Sequence, residues 1–221
     1  MMRKLFEAAV FILSFSLPAI ASDFAGPARI IDGDTIKVGM VSIRLHGIDA
    51  PEVGQRCKMS NGKNWDCDDT AMDRLSDLIS KGVVCKGKKY DGYDRLLAVC
   101  FTPGGTDINK TMVAEGYAWA FRKYSLDYAS DEESARGQGL GVWQAETQAP
   151  WDYRDMKWQV AAQEAPKGCP IKGNISSNGN IYHAPWSPWY NRTKVSVDKG
   201  ERWFCSEREA LDAGWRAPAW R

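Results

Sequence analysis

The chain has little excess charge of either sign. Its 221 residues carry 29 Lys and Arg against 28 Asp and Glu, a formal net charge of +1. That excludes the broad basic face expected of a tight, nonspecific nucleic-acid binder. Any chemistry on an anionic polymer must rest on a local site. Histidine is scarce, with only His46 and His183, and no close C-x-x-C pair occurs. A zinc site is therefore poorly supplied. Beyond the N-terminus no apolar run is long enough to cross a membrane.

What is present starts with a processing segment. Arg3 and Lys4 give a positive start, Ala8 to Ile20 is apolar, and Ala19-Ile20-Ala21 forms a cleavage box. Residues 1–21 read as a secretory signal peptide, too short and wrongly flanked for a transmembrane anchor. An exported chain with six cysteines favours disulfides. Their spacing suggests local pairs: Cys57 with Cys67, Cys85 with Cys100, and Cys169 with Cys205. About 200 residues remain, enough for one good core and a small second module.

The segment from Arg29 to Glu52 organises the rest. Ile30 and Ile31 close one apolar run, Asp32-Gly33-Asp34 punctuates it, and Thr35 to Val38 resumes an extended pattern. Val41, Ile43 and Leu45 then alternate with Ser42, Arg44 and His46, which is the period of a strand. Adjacent strands lie about 4.8 Å apart. Asp34 and Asp49 can therefore meet at one sheet edge, with Arg44 and Glu52 in reach. Further on, Asp68 starts a helix that runs through Ile79. Val83 to Lys89 and Leu96 to Phe101 read as strands around the charged turn KKYDGYDR. Asp107 caps a helix over Ile108 to Glu115, and Leu126 to Arg136 reads as a third helix. Tyr117, Trp119 and Phe121 form an aromatic stripe, either core or a base-stacking platform. The expected domains are 22–146, a linker over 147–168 with a short helix around Asp155 to Ala162, and a glycine- and aromatic-rich module over 169–221.

These residue types suit phosphodiester cleavage. The ester is anionic, so a site must neutralise charge, orient water and take its proton. Asp34 and Asp49 offer hard oxygen ligands for a divalent cation such as Ca²⁺ or Mg²⁺. Glu52 stands near enough to act as general base. The guanidinium forks of Arg44 and Arg95 match phosphate oxygens and stay charged.

Five separated pieces, IDGDTIKV, IRLHGIDAPE, YDGYDRLLAVC, DINKTMVAEGYAWAFRKYS and GLGVW, occur in one order. Over about residues 24–143 they resemble the staphylococcal-nuclease-like (thermonuclease) family. The resemblance implies an OB-fold, a five-stranded barrel with three helices, in an otherwise mainly β chain. The C-terminal module is expected to be a small, disulfide-stapled α+β unit. The resemblance also implies a calcium-dependent endonuclease, with Mg²⁺ or Mn²⁺ as alternatives, that cleaves DNA and RNA with little sequence preference. Water attacks phosphorus in line and the products carry 3′-phosphates. By position, Asp34, Asp49 and the Ala50 carbonyl match metal ligands, with Asp32 behind them. Glu52 matches the general base, and Arg44 and Arg95 match the phosphate-binding arginines. Tyr93 matches a nucleotide contact, with Tyr124 and Tyr128 as further candidates. Asp94 departs from the family, which often has glycine there. The cysteine pairs resemble exported relatives from Gram-negative bacteria, so a periplasmic or secreted monomer is expected. Residues 169–221 resemble an accessory module whose partner the sequence does not identify. The competing readings are a nucleic-acid-binding OB module without hydrolysis and an envelope interaction protein.

Overall fold

The computed structural model describes residues 23–218. The signal peptide expected over 1–21 lies outside them. The chain opens with β1 (Phe24–Gly26), β2 (Ala28–Asp32), β3 (Thr35–Val38), β4 (Val41–Leu45) and β5 (Ile48–Asp49). A small hairpin follows, β6 (Cys57–Lys58) with β7 (Asn64–Trp65), then α1 (Cys67–Ile79). Next come β8 (Val83–Tyr90), β9 (Leu96–Phe101), α2 (Ile108–Ala114), β10 (Trp119–Ala120) and α3 (Ala129–Gly137). The chain then continues through α4 (Pro150–Glu164), β11 (Ile171–Ser176), β12 (Gly179–His183), β13 (Arg202–Phe204) and α5 (Glu207–Asp212).

The main sheet has six strands in the order β1-β8-β9-β4-β3-β2. β4 and β9 run parallel, Ile43 opposite Leu96, and every other pair in the sheet is antiparallel. This corrects the expected five-stranded OB barrel with three helices. The ladder is open: β1 and β2 are its two edges and are not paired with each other. They follow one another along the chain, separated by Pro27, which has no N–H to donate. Five α-helices are present among the described residues, not three. Alternating apolar residues report strands and their faces, and do not report whether a sheet closes.

The core explains these assignments. Ile36, Ile43, Leu45, Leu96, Ile108 and Met112 are fully or almost fully buried, each contributing about 1.5–3 kcal/mol by leaving water. α1 packs Ala71, Leu75 and Ile79 onto the sheet. Asp107 starts α2 by accepting from Lys110 N at 2.9 Å, the usual role of an N-cap carboxylate. Trp119 is buried with Val142, Cys57 and Cys67, so that part of the aromatic stripe is core. Disulfides join Cys57–Cys67, Cys85–Cys100 and Cys169–Cys205.

The stretch read as a linker is mostly helix. Pro150 sits in the first turn of α4, where a missing N–H costs nothing, and Pro166 follows its end. Beyond it β12, β11 and β13 form a three-stranded sheet in that order. Ile171, Tyr182, Phe204, Ala210 and Trp215 fill its core, and Trp158 from α4 packs against them. α4 therefore joins the two units: Trp151 packs against the Trp119 cluster and Trp158 against the C-terminal core. No helix among the described residues is long and apolar enough to cross a membrane.

Candidate active site

The turn between β2 and β3 and the strand β5 place two carboxylates side by side. Asp34 precedes β3 and is 3 % exposed; Asp49 ends β5 and is fully buried. β5 is held there by β10, with Asp49 opposite Trp119. Arg44 points from β4 between them. One of its Nη atoms lies 2.5 Å from Asp34 Oδ1 and the other 2.7 Å from Asp49 Oδ1. A single guanidinium thus bridges both acids. Asp34 Oδ2 also accepts from Ala50 N at 3.0 Å, so Ala50 joins the cluster through its N–H. Asp32 Oδ1 accepts from Asp34 N at 3.2 Å.

A residue outside the expected set completes the cluster. Arg154, from α4, donates to Asp49 Oδ2 at 2.8 Å and to Asp49 Oδ1 at 3.2 Å. It also donates to Glu52 Oε1 at 2.5 Å. Glu52 N is held by Gln55 Oε1 at 3.0 Å. Burial raises the pKa of Asp34 to about 6 against the pull of Arg44. It raises Glu52 to about 7 against the pull of Arg154. Asp49 is also pushed up by burial, opposed by Arg44 and Arg154. Burial disfavours the charge on both arginines, but the carboxylates outweigh it and hold their pKa values above the ordinary.

The cluster opens into a cleft of about 2250 Å³ that Arg44, Glu52, Tyr93, Arg95 and Arg154 all line. Arg95 is not bonded to the carboxylate cluster. Its Nε donates to Asp91 Oδ2 at 2.8 Å, and its guanidinium stands 5.2 Å from the Tyr93 ring centre. Tyr124 is exposed on the same cleft, beneath Lys123. Tyr128 is placed differently. It is 5 % exposed and donates to Asp107 Oδ2 at 3.3 Å, in the core beside Gly47. The cleft's far wall comes from the C-terminal module, which contributes Tyr182, Trp186 and Glu207. Arg208 fastens that module to the 91–95 turn by donating to Gly92 O at 3.2 Å.

The family model described as staphylococcal nuclease homologue matches residues 42–145, and a second, described as ArfC, matches residues 157–217. A micrococcal nuclease of Shigella flexneri is 39% identical over 177 residues, covering 72% of this chain and 92% of its own. The chain belongs to the staphylococcal-nuclease-like family. An uncharacterized endonuclease of Escherichia coli is 34% identical over 165 residues, 71% of this chain and 100% of that one. Endonuclease YhcR of Bacillus subtilis is 26% identical over 218 residues, 90% of this chain but 17% of its own length.

Family membership raises the matter of a divalent cation. Among the described residues no group of three Asp, Glu, His or Cys side chains gathers closely enough to hold a metal. The donor chemistry nevertheless fits a hard ion. Asp34 and Asp49 turn oxygens towards one positively charged group, and those oxygens are the ligand type that Ca²⁺ and Mg²⁺ take. Arg154 is the residue that sequence reasoning missed. It falls between the two matched segments, and no motif marks it.

Proposed function

We propose that this chain is a metal-dependent phosphodiesterase that cleaves DNA or RNA endonucleolytically. The observation that carries the reading is the buried bridge of Arg44 between Asp34 and Asp49, with Glu52 alongside and the cleft above. Nuclease and endonuclease are also the printed descriptions of the relatives above. Asp34 and Asp49 would hold the cation, which when bound supplies positive charge against the phosphoryl oxygens.

The chain's own residues supply the rest. Glu52 accepts a proton from the water that attacks phosphorus, and its raised pKa makes it a better base than an ordinary carboxylate. The phosphorus–O5′ bond breaks, the 5′-oxygen leaves as an alcohol after taking a proton from solvent water, Glu52 returns its proton to solvent, and the phosphate stays on the 3′ side. Arg44 stabilises the charge that grows on the equatorial oxygens. Arg95, held in the cleft by Asp91 and Tyr93, serves the same charge. Tyr93 and Tyr124 offer rings to the neighbouring nucleotides. On the family resemblance the ion is taken as Ca²⁺, with Mg²⁺ or Mn²⁺ as alternatives. The three disulfides support action outside the cytoplasm, in the periplasm or after secretion.

The test is cleavage of single-stranded DNA, duplex DNA and RNA with calcium, magnesium, manganese or chelator, by wild type and Glu52→Gln. Cation-dependent cleavage that leaves 3′-phosphate ends and falls at least about 10²-fold in the variant is expected. Cleavage indifferent to both chelator and variant overturns the reading.

A further inference from the structure

We propose that Arg154 is a positioning residue for this reaction, so that the active site is composite and part of it is supplied by α4, beyond the segment that the nuclease family model matches. The inference rests on the nuclease reading above and adds a residue to it.

The geometry is specific. Arg154 spans Asp49 and Glu52 at once, with both Nη atoms on Asp49 and one of them also on Glu52. A residue whose task was only to anchor α4 would need one partner. By holding both, the planar fork fixes the Glu52 carboxylate relative to the Asp49 carboxylate. Those are the groups proposed to take the water's proton and to hold the cation. An error of about 1 Å between such groups can cost on the order of 10²-fold in rate.

Charge gives the second argument. Asp34, Asp49 and Glu52 are three carboxylates gathered in a poorly solvated place. Arg44 alone would leave two net negative charges at the floor of a cleft meant for an anion. Arg154 reduces that to one. It also satisfies Asp49 Oδ2, which is buried and has no other hydrogen-bond partner among the described residues. A buried carboxylate oxygen left unpaired is costly. The Arg154 side chain is itself only 21% exposed, so its own desolvation is tolerated because two acids receive it. α4 can present it there because Phe121 stacks on Trp151, the rings 5.5 Å apart and 3° from parallel, and because Trp158 packs into the C-terminal core.

The test uses the full-length protein and three variants: Arg154→Ala, Arg154→Lys, and Gln159→Ala on the exposed side of the same helix. Arg154→Ala is expected to lower kcat about 10²-fold with KM changed much less. Arg154→Lys restores charge without the fork and should recover only part of the loss. Added guanidinium, far below unfolding concentrations, should partly rescue Arg154→Ala, while an equal ionic strength of tetramethylammonium should not. Gln159→Ala should behave as wild type. An unchanged kcat in Arg154→Ala with an active wild type overturns this inference alone. So does a loss that tracks a lowered melting temperature and resists rescue, which would mean a structural clamp. A gain in activity with tighter calcium binding, measured by calorimetry, would mean that Arg154 competes with the cation, and overturns it too. A wild type that cleaves nothing with any of the three cations overturns the nuclease reading and this inference with it.

Discussion

Gly116 and Gly141 meet backbone to backbone. Val142 N donates to Gly116 O at 2.9 Å, and a Cβ on Gly141 would lie 2.1 Å from that same oxygen. Both glycines have positive φ, 76° and 52°. The contact closes the end of α3 onto the turn before β10, the strand whose Trp119 lies opposite Asp49. Gly141→Ala combines a left-handed backbone, worth about 1–2 kcal/mol for an ordinary residue, with a clash against a carbonyl. A loss of at least about 2 kcal/mol is expected, or roughly 5 °C in melting temperature for a chain of this size. Denaturant unfolding at pH 7 checks it.

Asp94 is a non-glycine residue with a φ of 59°, in the turn that carries Tyr93 and Arg95. Asp91 organises that turn: its Oδ1 accepts from Tyr93 N at 2.8 Å and from Arg95 N at 3.0 Å. The Asp94 side chain is not part of this pattern, so the left-handed conformation is imposed on it. Asp94→Gly should stabilise the protein by about 0.5 kcal/mol, because the relief of strain exceeds the extra entropy of glycine in the unfolded chain only modestly. A small rise in melting temperature is the expected readout, and a fall would show that the aspartate side chain contributes more than the strain costs.

The small C-terminal module leans on its crosslink. Cys169–Cys205 closes a span of 36 residues around a core built largely from Ile171, Tyr182, Phe204, Ala210 and Trp215. In the chain-entropy picture a loop of this length contributes about 3–4 kcal/mol. Replacing both cysteines by serine should raise hydrogen exchange in β11, β12 and β13 well above wild type, with β4 and β9 little changed. Equal loss of protection in β4 would show that the two units unfold together.

How legible this arrangement was depended on periodicity. Ile36, Ile43 and Leu45 alternate cleanly, so the strands that bring Asp34, Arg44 and Asp49 together could be read from the chain. The closure of the sheet could not, because nothing in a period of two says whether the ladder continues across Pro27. The sequence over α4 reads as a linker with a short helix for a different reason. Its Trp151, Tyr153, Met156, Trp158 and Val160 are spread around the helix and form no stripe, so neither the helix's full length nor its buried face stood out. Arg154 was hidden with it. Its partners, Asp49 and Glu52, lie about a hundred residues earlier in the chain. Tyr128 turns its ring into the core, 5 % exposed, with its hydroxyl donating to Asp107, an orientation that no period in the sequence reports.

Proton linkage offers a check on Glu52 that needs no substrate. In the folded protein burial raises its pKa to about 7 from an ordinary 4.5. The folded state therefore binds more protons than the unfolded state between those values, and stability from this group is present at low pH and lost as pH rises to about 7. Asp34, raised to about 6, acts in the same direction. His183 acts oppositely. It is 7 % exposed, set between Ser187 and Asn174, and burial with Arg192 and Lys172 nearby lowers its pKa to about 4. Its contribution grows as pH rises from about 4 to 6.5. The wild-type curve alone mixes these signs, so the comparison must be with Glu52→Gln in chelator. The variant keeps Asp34 and His183 but does not titrate at position 52. Its stability relative to wild type should rise between about pH 4.5 and 7, by on the order of 1–3 kcal/mol, and level off above. A difference that stays flat across that window would mean that Arg154 already holds Glu52 ionised at an ordinary pKa, and the carboxylate would then be a weaker base than proposed.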